Sequence, residues 1–286
     1  MKKIKEYHLE LFRFQLLPID KNIQLSLIDL EINDYDSLVK HKNILLERIL
    51  TNENIKLQGK KSQVVFRLEY QSDTYFIFRI GVKRNLIRNT SDFKKEEIEN
   101  YPNIQVIINT DPKIQTIGIE RNYKAFGHTE TASHILENSL LNYLQKYHLA
   151  IYIEPIYQER EFWNIIEKYQ ERIQKLSFDL IRPNLSNISI KIDKQIKRMQ
   201  LETNSHKTKI EFESNKDSNL SIEKDNEQLE SLIDYASKGG GPISLKVKGL
   251  SRRIKTSKST ETYTINELDY NGPKDKLLKI LKGFGF

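Results

Sequence analysis

The chain has 286 residues, with 46 Lys or Arg against 39 Asp or Glu, a formal net charge of +7, and 38% hydrophobic residues. That length provides for one large domain or two ordinary ones with a sizeable core, and the composition is that of a folded chain with a polar surface. It holds no cysteine and no window of eighteen uninterrupted apolar residues, which excludes disulfides, thiolate metal sites, iron–sulfur clusters, thiol catalysis and a membrane-crossing helix.

The opening stretch "MKKIKEYHLELFRF" lacks a continuous apolar run and a small-residue cleavage site. It reads as part of a first β-strand over 1–17, not as a signal peptide. "DYDSLVKHKNILLERIL" places Tyr35, Leu38, Leu45, Leu46, Ile49 and Leu50 on one face at helical spacing. "QVVFRLEY" and "TYFIFRIGV" form a hairpin around Gln71-Ser72-Asp73, with Val64, Phe66, Leu68 and Tyr70 alternating. A second hairpin joins "NIQVIINTD" to "IQTIGIERN", where Pro112 presets a turn dihedral.

A helix follows from about Thr129 to Tyr147, with Ile135, Leu136, Leu140, Tyr143, Leu144 and Tyr147 as its buried stripe. Then come the strand "AIYIEPIY", the short helix "EREFWNIIEKYQ" and the strand "IQKLSFDLIRPN", ending at Pro183. Strands surround a few helices without regular βαβ alternation, which predicts an antiparallel-rich, mixed α+β class.

Beyond Pro183 the chain turns polar. A helix is expected at about 188–202, then the strand "KTKIEFES" and an amphipathic helix carrying Leu229, Leu232, Ile233 and Ala236. Gly239 is its expected C-terminal cap, and the glycine run is expected to act as a hinge. The strand "PISLKVKG", a basic loop, the strand "TETYTINEL" and a helix with Leu277, Leu278 and Leu281 complete the chain. The change of texture predicts two domains, an α+β domain over 1–184 and a smaller α+β domain over 185–286.

Few residue patterns point to chemistry. Gly239-Gly240-Gly241 follows a helix and precedes Pro242 and a strand, the reverse of the order that cradles phosphate in a Walker loop. His128, His134 and His148 lack metal-binding spacing, and His134 with Glu137 reads as a solvated helix face. Asp111 and Glu120 sit at opposite ends of the second hairpin. A metal-dependent nuclease would need more carboxylates than these two, and Arg121 and Asn122 follow Glu120 where such a site would place a lysine two residues on. No Gly-x-Ser-x-Gly elbow occurs, and Trp163 reads as a packing anchor. The residues thus predict no catalysis, cofactor or metal.

The segment "KGGGPISLKVKGLSRRIKTSKST", 238–260, holds seven Lys or Arg and no Asp or Glu. Lys246 and Lys248 alternate with Leu245 and Val247, so the lysines share the solvent side. Arg252, Arg253, Lys255 and Lys258 follow, with hydroxyls at Ser251, Thr256, Ser257 and Ser259. Cations interspersed with hydroxyl donors are the residue types that contact a phosphate backbone. The bland alternative is a solvated face whose lysines guard a sheet edge. Lys83, Arg84 and Arg88 form a smaller basic group that could extend the surface, and Tyr263 could add a ring.

One stretch, "TIGIERNYKAFGHTE" followed by the long helix and "IYIEPIY", resembles the Rex A-like exclusion proteins of lambdoid phages and related bacterial phage-defence proteins. It carries Ile117-Gly118, Phe126-Gly127, a threonine-started helix and Glu154-Pro155. The resemblance covers roughly forty residues and transfers no catalytic motif. It implies a cytoplasmic, two-domain homodimer that binds DNA with little sequence preference and serves in phage exclusion or defence. The combined expectation is a non-catalytic DNA-binding protein, with RNA as a further possible ligand, that acts as sensor or activator of an effector encoded nearby. The alternatives are a metal-dependent nuclease effector and a scaffold for an acidic protein.

Overall fold

A computed structural model describes residues 5–21, 32–52, 55–59, 62–183 and 194–286. In chain order the elements begin with β1 (Glu6–Pro18), α1 (Tyr35–Leu50), β2 (Val64–Ser72), β3 (Tyr75–Val82), β4 (Arg84–Asn89), β5 (Lys95–Asn100), β6 (Asn103–Asn109) and β7 (Thr116–Glu120). They continue with α2 (Thr129–Leu144), β8 (Leu149–Pro155), α3 (Glu159–Tyr169), β9 (Ile173–Ile181), α4 (Lys194–Glu202), β10 (Lys207–Glu213) and α5 (Glu227–Tyr235). The last are β11 (Ile243–Val247), β12 (Ile254–Lys255), β13 (Thr262–Asn266), α6 (Glu267–Tyr270) and α7 (Lys274–Gly283). The strands pair in antiparallel sheets, and the class is mixed α+β.

Packing gathers the chain into two compact units. The first takes Met1–Glu10, Asn43–Tyr147 and Tyr263–Phe286; the second takes Leu11–Lys42 and His148–Thr262. Position 184, the expected boundary, lies outside the described residues, as does the start of the helix expected from 188. The strands on either side of 184, β9 and β10, pair in one sheet from Lys207↔Ile181 to Glu213↔Lys175. β10, within the polar stretch, therefore belongs to the same packing unit as β9.

In the first unit the sheet runs β13-β1-β7-β6-β3-β2. Phe76–Phe78 on β3, Ile104–Ile108 on β6 and Ile117–Ile119 on β7 are buried without alternation, as expected of strands covered on both faces. The β2–β3 turn is tighter than expected. Gln71 and Ser72 remain in the strand and Asp73 takes a positive φ of 49°, so two residues make the turn. β4 and β5 form a separate two-stranded arm that periodicity did not announce.

In the second unit β8 pairs with the later half of β1, from Phe12↔Pro155 to Pro18↔Leu149. A four-stranded sheet runs β10-β9-β11-β12. Its inner face and the helices α3 and α5 enclose a cluster containing Phe162, Ile173, Leu176, Phe178, Leu232 and Leu245. Trp163 packs half-buried against this cluster, edge-on to Phe162. All four apolar residues expected on α5 and its end, Leu229, Leu232, Ile233 and Ala236, are buried, and Asn226 caps that helix by accepting from the Leu229 amide at 3.0 Å.

Candidate nucleic-acid interface

The basic segment leaves α5 through its glycines. Gly239 adopts φ 83° and so caps the helix in the left-handed region. The expected hinge is corrected here, because all three glycines are buried. A Cβ on Gly241 (φ 134°) would lie 2.0 Å from the Asp179 carbonyl oxygen, and one on Gly240 would lie 2.3 Å from the Tyr235 ring. Close backbone approach, not freedom of movement, requires glycine at these positions.

β11 then turns Ile243, Leu245 and Val247 into the core and leaves Ser244 and Lys246 on the outer face. Lys248 lies just past the strand, in a turn with Gly249 at φ 84°. Arg252 and Arg253 follow in the loop, Lys255 sits on the edge strand β12, and Lys258 lies in a single 3-10 turn over Thr256–Ser259. Lys246, Lys248, Arg252, Arg253, Lys255 and Lys258 are all exposed. Among the described residues none of the six has an acidic partner within 4 Å. Lys238, the seventh cation, pairs instead with Asp234 at 2.6 Å.

The strand register explains why these cations stay open. Across the outer face one row reads Glu211, Ser177, Ser244, Lys255, and the next reads Glu213, Lys175, Lys246. The acids stand on β10, at the far side from β11 and β12. Lys175 lies 2.8 Å from Glu211 and 2.9 Å from Glu213. The hydrogen bond from Lys175, reinforced by Ser177 and Lys209, holds the Glu211 carboxyl down to about 2. Those glutamates are satisfied two strands away, and the β11–β12 edge keeps a surplus of positive charge.

The hydroxyls divide. Thr256 is fully buried, with its Oγ1 accepting from the Ile243 amide at 3.3 Å and donating to the Ile243 carbonyl at 3.4 Å. It ties the edge turn to β11 and has nothing to offer a phosphate. Ser251 remains exposed, and Ser257 and Ser259 half-exposed. Tyr263 is turned to the carboxyl-terminal residues, donating to the Phe284 carbonyl at 2.8 Å.

The second basic group has a different setting. Arg88 lies 2.7 Å from Glu96, and Lys83 forms an ion pair with Glu99. The hydrogen bond from Lys83 lowers the Glu99 carboxyl below its usual range. Arg84 donates to the Ala125 carbonyl at 3.1 Å. The β4–β5 register sets Glu96 opposite Arg88, and Lys83, just before β4, reaches Glu99 on β5, so two of these three cations have an acidic partner and this group is not the open basic surface that its sequence suggested.

The two carboxylates weighed for metal chemistry also have partners. Asp111 accepts from the Lys113 amide at 2.7 Å and closes the β6–β7 turn. Glu120 is buried, accepting from the Gln105 amide at 2.7 Å and the Tyr270 hydroxyl at 2.6 Å. Burial first, and the Glu120 charge next, hold that tyrosine well above its usual range. Among the described residues no three His, Asp or Glu side chains gather as a possible cation site, and no helix is long and apolar enough to cross a membrane.

Arg172, which the sequence did not single out, organises the basic turn. Its backbone carbonyl accepts from the Lys248 amide at 2.8 Å, while its Nε and Nη2 donate to the Lys248 carbonyl at 3.2 and 2.8 Å. Only long-range pairing brings it there, and no local pattern marks it. No family model matches the chain, and no curated protein matches it.

Proposed function

We propose that this protein binds nucleic acid through its phosphate backbone, with duplex DNA as the ligand, using the hairpin formed by β11, β12 and their connecting turn. The observation that carries this reading is six exposed cations, five on this hairpin and Lys258 in the turn that follows it, with no acidic partner among the described residues. Edge protection accounts for Lys255 on β12; it does not call for Lys246, Lys248, Arg252, Arg253 and Lys258 as well. Arginine and lysine on a sheet framework offer phosphates a fixed array, and backbone contacts position a protein without reading bases.

Binding without catalysis, a cytoplasmic homodimeric state, and service as sensor or activator of a separate effector complete the proposal. The support for the phage-defence setting is the Rex A-like resemblance around Ile117-Gly118, Phe126-Gly127 and Glu154-Pro155. Fluorescence anisotropy with two duplexes of unrelated sequence tests the binding. Similar affinities that weaken together as salt rises are expected, and absence of binding at low salt would refute the proposal. Competition by an acidic protein but not by duplex would favour the scaffold reading. Magnesium-dependent cleavage of the probe would favour a nuclease.

A further inference from the structure

Arg172 ends the single 3-10 turn Gln170–Arg172 between α3 and β9. Its three hydrogen bonds with the Lys248 backbone run in both directions, so the turn is held by the N–H and the C=O of that residue at once. The next residue, Gly249, sits at φ 84°, and a Cβ there would lie 3.1 Å from Arg172 Nη2. The Arg172 guanidinium carbon lies 5.8 Å from the centre of the Tyr169 ring, and that ring packs on the core of the unit. Arg172 therefore connects the rigid interior to the one turn of the hairpin that carries cations on both sides.

We propose that Arg172 is a positioning residue for the phosphate-binding hairpin, a clasp that fixes the Lys248–Gly249 turn and orders Lys246, Lys248, Arg252 and Arg253 before a duplex arrives. The proposal rests on the nucleic-acid reading above. Cations on a loose turn would lose conformational freedom on binding, which reduces affinity. The clasp removes part of that cost in the free protein. Lysine cannot replace the arginine, because an ammonium cannot fork a carbonyl oxygen and stack on a ring together.

The test uses the full chain as wild type, Arg172→Lys, Arg172→Ala and Gly249→Ala, each titrated with a short mixed-sequence duplex over a range of salt. Arg172→Lys should bind about tenfold more weakly, with an unchanged slope of log affinity against log salt, because the same phosphates are contacted once bound. Gly249→Ala, which disturbs the turn and keeps every charge, should do the same. Amide hydrogen exchange at Lys248 and Leu250 should quicken in Arg172→Lys while β9 and β10 stay protected. Wild-type affinity in Arg172→Lys would overturn the proposal. So would a slope smaller by about 0.9 in Arg172→Ala, since that marks a direct phosphate contact. Unchanged exchange refutes the clasp even if duplex binds. Faster exchange in a protein whose wild type binds no duplex refutes the nucleic-acid reading and, with it, the role proposed for the clasp.

Discussion

The arm β4–β5 and the hairpin β11–β12 both look basic in sequence, and they differ in what stands across the ladder. Arg88 meets Glu96 across the ladder, and Lys83, just before the arm, pairs with Glu99 on β5, so acids of the arm offset two of its three cations. In the hairpin Lys246 stands beside Lys175, whose ammonium is committed to Glu211 and Glu213 on its other side. Lys255 stands beside Ser244. A run of cations becomes an electrostatic surface only when strand register withholds acids from it. Exposed pairs such as those of the arm contribute little to stability, but they remove charge that a polyanion would otherwise meet.

That contrast can be broken in several places. The largest effect is expected at Gly241→Ala, where a backbone oxygen 2.0 Å from the new Cβ leaves no room. Urea unfolding should show a loss of about 3 kcal/mol or more. A loss below about 1 kcal/mol would restore the hinge. A smaller effect concerns a cation that is buried instead of exposed. Lys42 donates to the Leu16 carbonyl at 3.2 Å, and burial first, then the Arg182 charge, push its ammonium down to about 8. Between about 8 and its usual 10.5 the unfolded chain binds the extra proton, so this group's contribution to stability rises with pH across that window. It is at its most unfavourable below about 8. Unfolding of the wild type relative to Lys42→Met should show that rise, of about 2–3 kcal/mol; parallel pH curves would contradict it.

Converting the hairpin into something like the arm gives a further, milder test. Ser251→Glu with Ser257→Glu places acids among the open cations and should lower the salt slope by about 1 to 2. An unchanged slope would mean that those cations are not in the interface. Smallest of all is the effect expected on the arm. Lys83→Ala with Arg88→Ala should alter the slope by less than about 0.9, and a larger change would place the arm on the ligand despite its glutamates.

Much of the fold was legible in the sequence because burial imposes a period. The stripe of α1, the alternation of β2, the inward set Ile243, Leu245 and Val247, and the apolar face of α5 all follow from one-sided packing. The arm was not legible, since every residue of β4 is exposed and nothing forces its side chains to alternate. The hinge expected at Gly239–Gly241 failed for a related reason: Arg13, Tyr235 and Asp179 crowd those glycines, and two of these three come from distant segments. Of the site, the six cations were legible by the absence of acids among them. The acid partners of Lys83 and Arg88, the buried hydroxyl of Thr256 and the clasp of Arg172 depend on register and long-range contacts that no local pattern contains.

The most direct measurement is a salt titration of duplex binding by the wild type and by an Arg252/Arg253/Lys255/Lys258→Ala variant, with folding of both checked by circular dichroism. If the four side chains each neutralise one phosphate, the variant's slope of log affinity against log salt should be flatter by about 3 to 4, with similar losses on unrelated sequences. Equal slopes for the two folded proteins would show that the open cations of the hairpin are a solvated face and not a nucleic-acid interface.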